Sequence, residues 1–202
     1  MKLPGGIFAK ASGRLGGLVF ATWKGIQYAR TWVIPANPRT APQLAQRALF
    51  SNLVFVAKAI LGSVIQTFWD PFIKDNSGWA VWMGQNLTAM HPTFDPTLMI
   101  VSSGVLEATP PTGCTYAGPN VTFTWSSAVL GNGLATDNAI CVVYDFANHV
   151  AFVNSAVDRS VGTAAVNCGA GRNNMFMAGY LFFADSATAP TKKSASIYTA
   201  VS

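Results

Sequence analysis

Residues 136–154 read TDNAICVVYDFANHVAFVN, and this stretch decides the predicted fold. It contains two short apolar runs, Ala139–Tyr144 and Ala151–Asn154, joined by a turn at residues 145–148. Short runs rich in β-branched and aromatic residues, bounded by Asp and Asn, are typical of strands. Their even spacing predicts an immunoglobulin-like antiparallel β-sandwich over residues 111–202. Further runs of this kind are Asn120–Trp125, Gly162–Asn167, Met175–Ala184 and Ser196–Val201.

Upstream of the sandwich, the apolar residues follow a helical period. Thr40 is a candidate N-cap with Gln43 three residues later, the spacing of a capping box. We predict a helix from there to about Trp69. After Arg47 this helix is apolar nearly all round, which is typical of burial on several sides. A transmembrane helix is the less favoured interpretation, because Lys58 lies near the middle of the apolar stretch.

Two strand-like runs, Leu18–Trp23 and Ile26–Val33, lie near the start of the chain. The two-residue link between them contains a Gly, which predicts a β-hairpin. Alternation puts Ile26, Tyr28, Arg30 and Trp32 on one face of the second run. The glycine-rich residues 1–17 predict an irregular lead-in.

The predicted fold is therefore α+β, in two parts. Residues 1–110 would form an N-terminal arm, a hairpin and a long apolar helix that together drive assembly. Residues 111–202 would form the sandwich. An isolated two-stranded hairpin is marginally stable in water, so we expect this one to dock on its own domain or on a neighbour.

Charged residues are scarce, at 10% of the chain against about 25% in a typical soluble domain. A small monomer normally covers its surface with charges to stay dispersed. The composition indicates that much of this surface faces neighbouring subunits or a membrane, and we favour neighbouring subunits.

The charges are also distributed unevenly. Residues 1–69 contain eight Lys or Arg and no Asp or Glu, whereas residues 70–202 contain five against eight. The basic part could contact nucleic acid or an acidic membrane. It could equally contact the acidic face of the next subunit, or form an arm without a specific partner.

The cysteines and the first residues bear on the compartment. Three cysteines without a C-x-x-C pair suggest neither a disulfide framework nor a metal site. Pro4 and the glycines after it interrupt any secretory signal pattern. We therefore expect synthesis in the cytoplasm without a signal peptide.

Motifs for catalysis are lacking. His91 and His149 are the only histidines, and both lie in expected turns or helix ends. No G-x-S-x-G, P-loop or dinucleotide-binding pattern is found. The sequence predicts a protein that is not an enzyme, with no catalytic residues, no cofactor, no metal and no small-molecule substrate.

Short segments spread over nearly the whole chain carry a resemblance when taken in order. They are Gly13–Gly17, Thr22–Gly25, Asn37–Thr40 with Gln43, Gln46 and Arg47, Asn86-Leu87, Ser103–Leu106, Thr136–Ala139, Val142–Tyr144, Asp158–Thr163 and Tyr180–Phe183. Together they resemble an uncharacterised protein family common in Bacteroidota. The front segment, about residues 12–50, has a glycine-rich lead-in before Asn-Pro-Arg-Thr and a helix, and in this it is similar to phage virion structural proteins. Neither resemblance implies an activity.

These observations predict a structural subunit of a multi-subunit assembly, specifically a phage virion component of the capsid, decoration or tail. Its partners would be copies of itself and other structural proteins. Nucleic acid is a weaker expectation, and a membrane is weaker still. The alternatives are a subunit of a cellular extracellular filament or tube, and a nucleic-acid- or glycan-binding module. The candidate interface residues are Trp23, Lys24, Tyr28, Arg30, Trp32, Arg39, Arg47 and Arg159.

Overall fold

The computed structural model describes residues 11–202, so the first ten residues of the predicted lead-in lie outside the described part. The chain divides into two compact units, Met1–Arg39 and Thr40–Ser202. We call them the N-terminal unit and the main unit. The structure confirms a mixed α+β fold with an N-terminal hairpin.

The N-terminal unit contains a three-stranded antiparallel sheet in the order β1-β2-β3. Lys24 and Gly25 connect β2 to β3 with φ angles of 48° and 78°. Two positive φ angles match the right-handed twist of a tight hairpin, so the predicted turn is confirmed. The strands are β1 (Gly13–Leu15), β2 (Leu18–Trp23) and β3 (Ile26–Thr31).

The prediction of an irregular lead-in is wrong for residues 13–15. Gly16 and Gly17 form a second turn, and Gly16 has a φ of 58°. This turn folds β1 back on β2, where Arg14 pairs with Val19. The glycine-rich composition of this segment therefore gave no indication of the short strand β1.

The main unit begins with one long helical segment over residues 41–68, interrupted by a π-helical turn at Leu61–Ile65. The helix starts after Thr40 as predicted, but the Thr40 side chain makes no capping hydrogen bond. The next helix starts after Ser77, whose hydroxyl accepts the N–H of Ala80. The helices are α1 (Ala41–Ile60), α2 (Gln66–Phe68) and α3 (Gly78–Met90).

Two antiparallel sheets follow, in the orders β10-β9-β6-β7 and β4-β5-β8. If β4 to β10 are lettered A, B, C, C′, E, F and G in chain order, the two sheets have the orders G-F-C-C′ and A-B-E, which is the arrangement of immunoglobulin-like sandwiches. The strands are β4 (Pro111–Ala117), β5 (Asn120–Trp125), β6 (Asn138–Asp145), β7 (Val150–Asp158), β8 (Thr163–Asn167), β9 (Met177–Ala184) and β10 (Ile197–Ala200).

The four-stranded sheet is buried on both faces. Alternate residues of β6, such as Cys141 and Val143, pack against the three-stranded sheet. The residues between them, such as Ile140 and Val142, pack against the helices. This double burial explains why β6 and β9 have continuous apolar sequences rather than alternating ones.

The boundary between the two compact units lies between Arg39 and Thr40, whereas the sequence predicted a division between residues 110 and 111. The reason is the position of the helices. Leu53 and Ile60 of α1 and Trp82 of α3 share one core with the four-stranded sheet. The long helix is thus a layer of the same unit as the sandwich. The apolar inner face of the helix is buried against the four-stranded sheet.

Candidate assembly surface

The register of the N-terminal sheet collects basic and aromatic side chains on one face. Val19 pairs with Arg30 and Ala21 with Tyr28, and paired residues share a face of the sheet. The shared face predicted from the alternation of β3 is therefore confirmed. We call it the basic aromatic face, and it comprises Arg14, Trp23, Ile26, Tyr28, Arg30 and Trp32, with Lys24 at its end.

Cations and rings alternate along this face. The Arg14 guanidinium lies 3.7 Å from the centre of the Trp32 ring. The Lys24 ammonium lies 5.1 Å from the centre of the Trp23 ring. Such cation–π contacts contribute about 0.5–1 kcal/mol at exposed sites. These contacts leave the two Trp rings exposed to solvent.

The rings and the apolar side chains of the N-terminal unit are unusually exposed. Trp23 is 63% exposed and Trp32 is 40% exposed. On the opposite face, Leu15 and Leu18 are also largely exposed. Contiguous exposed apolar surface on a soluble protein marks a site of interaction. Among residues 11–39 no side chain is fully buried, and the middle residues of β2 and β3 are half-buried.

The basic side chains of this face have no acidic residue in their own unit to pair with. Residues 1–69 contain no Asp or Glu. Within residues 11–202, the two ion pairs are Arg159–Asp137 and Arg172–Asp145, both in the main unit. The face therefore presents net positive charge beside its aromatic rings.

Strand β3 forms an edge of the sheet. The N–H of Trp32 donates to the Gly17 carbonyl at 2.8 Å. Antiparallel pairing alternates between inward and outward groups, so the N–H groups of Gln27, Ala29 and Thr31 point away from β2. An edge of this kind is a template for pairing with another strand.

The remaining candidates near the front of the chain are also on the surface. Arg39 is exposed in the irregular segment before α1, and Arg47 is exposed on α1. The outer side of α1 and the π-helical turn carries four exposed apolar residues: Leu44, Phe50, Phe55 and Leu61. By length and hydropathy alone the segment 41–68 could cross a membrane, although its inner face is packed in the core.

Arg159 is not part of any surface, which corrects its inclusion among the interface candidates. Its side chain is fully buried and lies 3.8 Å from the Asp137 carboxylate. It donates to the Glu107 carbonyl at 2.8 Å and lies over the Phe183 ring. Burial lowers the pKa of this guanidinium, and Asp137 opposes that effect.

A second buried cation was not anticipated from the sequence. Lys193 is 4% exposed, and its ammonium donates to the Phe68 carbonyl at the end of α2. Desolvation lowers the pKa of Lys193 to about 8. The sequence carried no signal for this, because Phe68 and Lys193 are 125 residues apart.

No metal centre is formed by the described residues. Within residues 11–202, no three His, Cys, Asp or Glu side chains come together in a way that could hold a metal ion. Cys114, Cys141 and Cys168 are free and buried in the core between the two sheets. Burial raises the pKa of their thiols to about 12, 12 and 11, respectively.

A family model described as "Family of unknown function (DUF6266)" matches residues 10–200. The chain belongs to this family. The expectation of an uncharacterised family is thus confirmed at this level. No curated protein and no solved structure matches the chain.

In this DUF6266 member, several segments that carried the sequence resemblance have roles in holding the main unit together. Asn86 is buried and bonds the Trp82 carbonyl and both backbone groups of Ile100. Asp137 and Arg159, from two further segments, form the buried ion pair. The front segments differ, because the side chains of the basic aromatic face are largely exposed.

Proposed function

We propose that this chain is a structural subunit of a multi-subunit assembly and that its N-terminal unit contacts a neighbouring copy. The observation that carries the proposal is the basic aromatic face, with Trp23 and Trp32 exposed beside an open sheet edge. Trp, Tyr and Arg are the residues that most often dominate the energy of protein–protein interfaces. Packing against a neighbour would remove the exposed rings of Trp23 and Trp32 from water.

Strand addition is the proposed mode of contact. The outward N–H groups of β3 would pair with a strand of the next subunit, and the rings would pack over the joined strands. Main-chain hydrogen bonds would supply affinity, while the alternating side chains would select the register. The exposed apolar residues Leu44 and Phe55 on α1 would provide a second contact.

The specific assembly we propose is a phage virion, with the chain in the capsid, decoration or tail. Support comes from the similarity of residues 12–50 to phage structural proteins and from the low content of charge. The protein would be made in a bacterial cytoplasm, consistent with the resemblance to proteins of Bacteroidota, and would end in the virion. An extracellular filament or tube of cellular origin would use the same contacts.

A substitution of Ala29 tests strand addition in the full chain. Ala29→Pro removes an outward N–H and leaves the hydrogen bonds between β2 and β3 in place, since proline is tolerated on an edge strand. Ala29→Thr keeps the N–H and is the matched control. Light scattering and negative-stain electron microscopy at near-physiological salt would measure particle mass and shape.

Wild-type protein and Ala29→Thr should form regular particles, and Ala29→Pro should remain near the 21.4 kDa of one chain. Circular dichroism should be unchanged. Removing residues 1–33 should likewise leave a folded main unit that does not assemble. Wild-type-like particles from Ala29→Pro and from the truncation would refute strand addition, and a wild-type monomer would refute self-assembly.

Single-stranded nucleic acid is the second candidate partner. Bases stack on exposed rings while cations neutralise phosphates, and the basic aromatic face offers both groups. Anisotropy of a labelled oligonucleotide would detect binding. Loss of binding in Trp23→Ala, with affinity that falls steeply as salt rises, would favour this partner over a second copy.

A further inference from the structure

The main unit contains a pocket of about 280 Å³ beside the carboxyl end of α2. Trp69, Phe72 and Val81 supply apolar lining, and Val105 and Lys192 lie exposed among its lining residues. Lys193 also lines it and is almost fully buried. An apolar pocket with a few convergent polar groups is the usual form of a small-molecule site.

The charges that line this pocket are all positive. Within the described residues, Lys192 and Lys193 are the only ionisable groups of its lining. Neither takes part in the two ion pairs of residues 11–202. The Asp185 carboxylate is not part of the lining, and it already accepts the N–H groups of Thr191 and Lys192. The charged side chains that line the pocket itself therefore favour an anion.

The ammonium of Lys193 is held in place but is not neutralised. It donates one hydrogen bond to the Phe68 carbonyl, at the negative end of the helix dipole. It lies 4.2 Å and 4.8 Å from the ring centres of Trp69 and Phe72. An ammonium has three donors, and only one has an acceptor among the described residues. Burial without a counter-ion also explains its lowered pKa.

We propose that this pocket binds a small amphiphilic carboxylate. The apolar group would pack against Trp69, Phe72 and Val81, and the carboxylate would accept a hydrogen bond from Lys193 Nζ, with Lys192 adding to the attraction. A monoanion matches a single buried ammonium. A dianion such as a phosphate monoester would bring more charge and hydration than this one donor group can compensate.

Calorimetric titration of the full chain at pH 7 with 4-phenylbutyrate tests the proposal, with 4-phenylbutan-1-ol as the uncharged control. Lys193→Met removes the ammonium with little change in length. Val105→Trp fills the pocket from an exposed position, so it tests the site even where Lys193→Met fails to fold. Lys58→Met removes an exposed lysine of α1 and is the matched control.

The carboxylate should bind with a stoichiometry near one, at least about tenfold more tightly than the alcohol, because a hydrogen bond between charged groups is lost with the alcohol. Lys193→Met and Val105→Trp should each weaken binding about tenfold or more, and Lys58→Met should not. Equal affinity for acid and alcohol, no saturable binding, or wild-type affinity in Val105→Trp would overturn the proposal.

The pocket proposal is independent of assembly. Val105→Trp should form the same particles as wild-type protein, because Val105 belongs neither to the N-terminal unit nor to α1. Failure of the carboxylate to bind would leave the strand-addition proposal standing. Failure to assemble would equally leave the pocket proposal standing.

Discussion

Replacing Asp137 by Asn tests how much the main unit depends on its buried ion pair. The exposed fractions of the Arg159 and Asp137 side chains are 0% and 2%, and their charged atoms are 3.8 Å apart. Opposite unit charges at this distance attract by about 4 kcal/mol at an effective dielectric constant of about 20. Asp137→Asn removes this attraction and leaves the Arg159 cation buried.

Few other contacts would compensate the cation. Nε and Nη1 of Arg159 have no hydrogen-bond partner among the described residues. The Asn side chain keeps an oxygen that can accept the N–H of Leu134, which Asp137 now accepts at 2.7 Å. The change therefore removes mainly charge. We expect the free energy of unfolding to fall by about 3–5 kcal/mol, as for other broken buried pairs.

Urea unfolding, followed by tryptophan fluorescence and circular dichroism, would measure this loss. The double variant Asp137→Asn/Arg159→Met removes both charges and should be more stable than Asp137→Asn alone. Asp75→Asn changes an exposed carboxylate and should stay within about 0.5 kcal/mol of wild type. A loss below about 1 kcal/mol for Asp137→Asn, or a double variant no more stable than it, would refute the reasoning.

Three further outcomes are expected. The pKa of Lys193 is lowered from 10.5 to about 8, so the cost of burying its charge is present below pH 8 and disappears as pH rises to 10.5. Wild-type stability should therefore rise relative to Lys193→Met over this range, by up to about 3 kcal/mol, and parallel pH profiles of urea unfolding would contradict this. In Gly104→Ala the new Cβ would overlap the Lys193 carbonyl, so we expect the free energy of unfolding to fall by about 1–3 kcal/mol. Gly84 lies in open space on α3, so Gly84→Ala should raise the free energy of unfolding by up to about 1 kcal/mol. Equal melting temperatures of the two variants would rule out the overlap. The three cysteines should resist a maleimide at pH 8 and react once urea unfolds the chain, because burial raises the pKa of their thiols to about 11–12. Labelled native protein in mass spectrometry would disprove their burial.

The regular elements were predictable because their signals are local. The turn at Lys24-Gly25, the apolar period of α1 and the short runs of the sandwich depend on neighbours within a few residues. Strand β1 was missed because its glycine-rich sequence has weak strand propensity and is held by pairing with β2.

The candidate surface was predictable only in part. Alternation along β3 put Tyr28 and Arg30 on one face, and the register confirms this. The same reasoning could not separate Arg30, which is exposed, from Arg159, which is buried. An Arg in a turn has the same local sequence signal whether its side chain reaches solvent or a distant Asp137.

The sequence by itself determined the class of the fold, the hairpin and the concentration of basic residues before Asp70, since these follow from composition and short-range period. Only the tertiary structure decided that the long helix packs on the sandwich and that Lys193 is buried beside Phe68. Burial is set by which distant surfaces meet, and such contacts leave no local pattern in the chain.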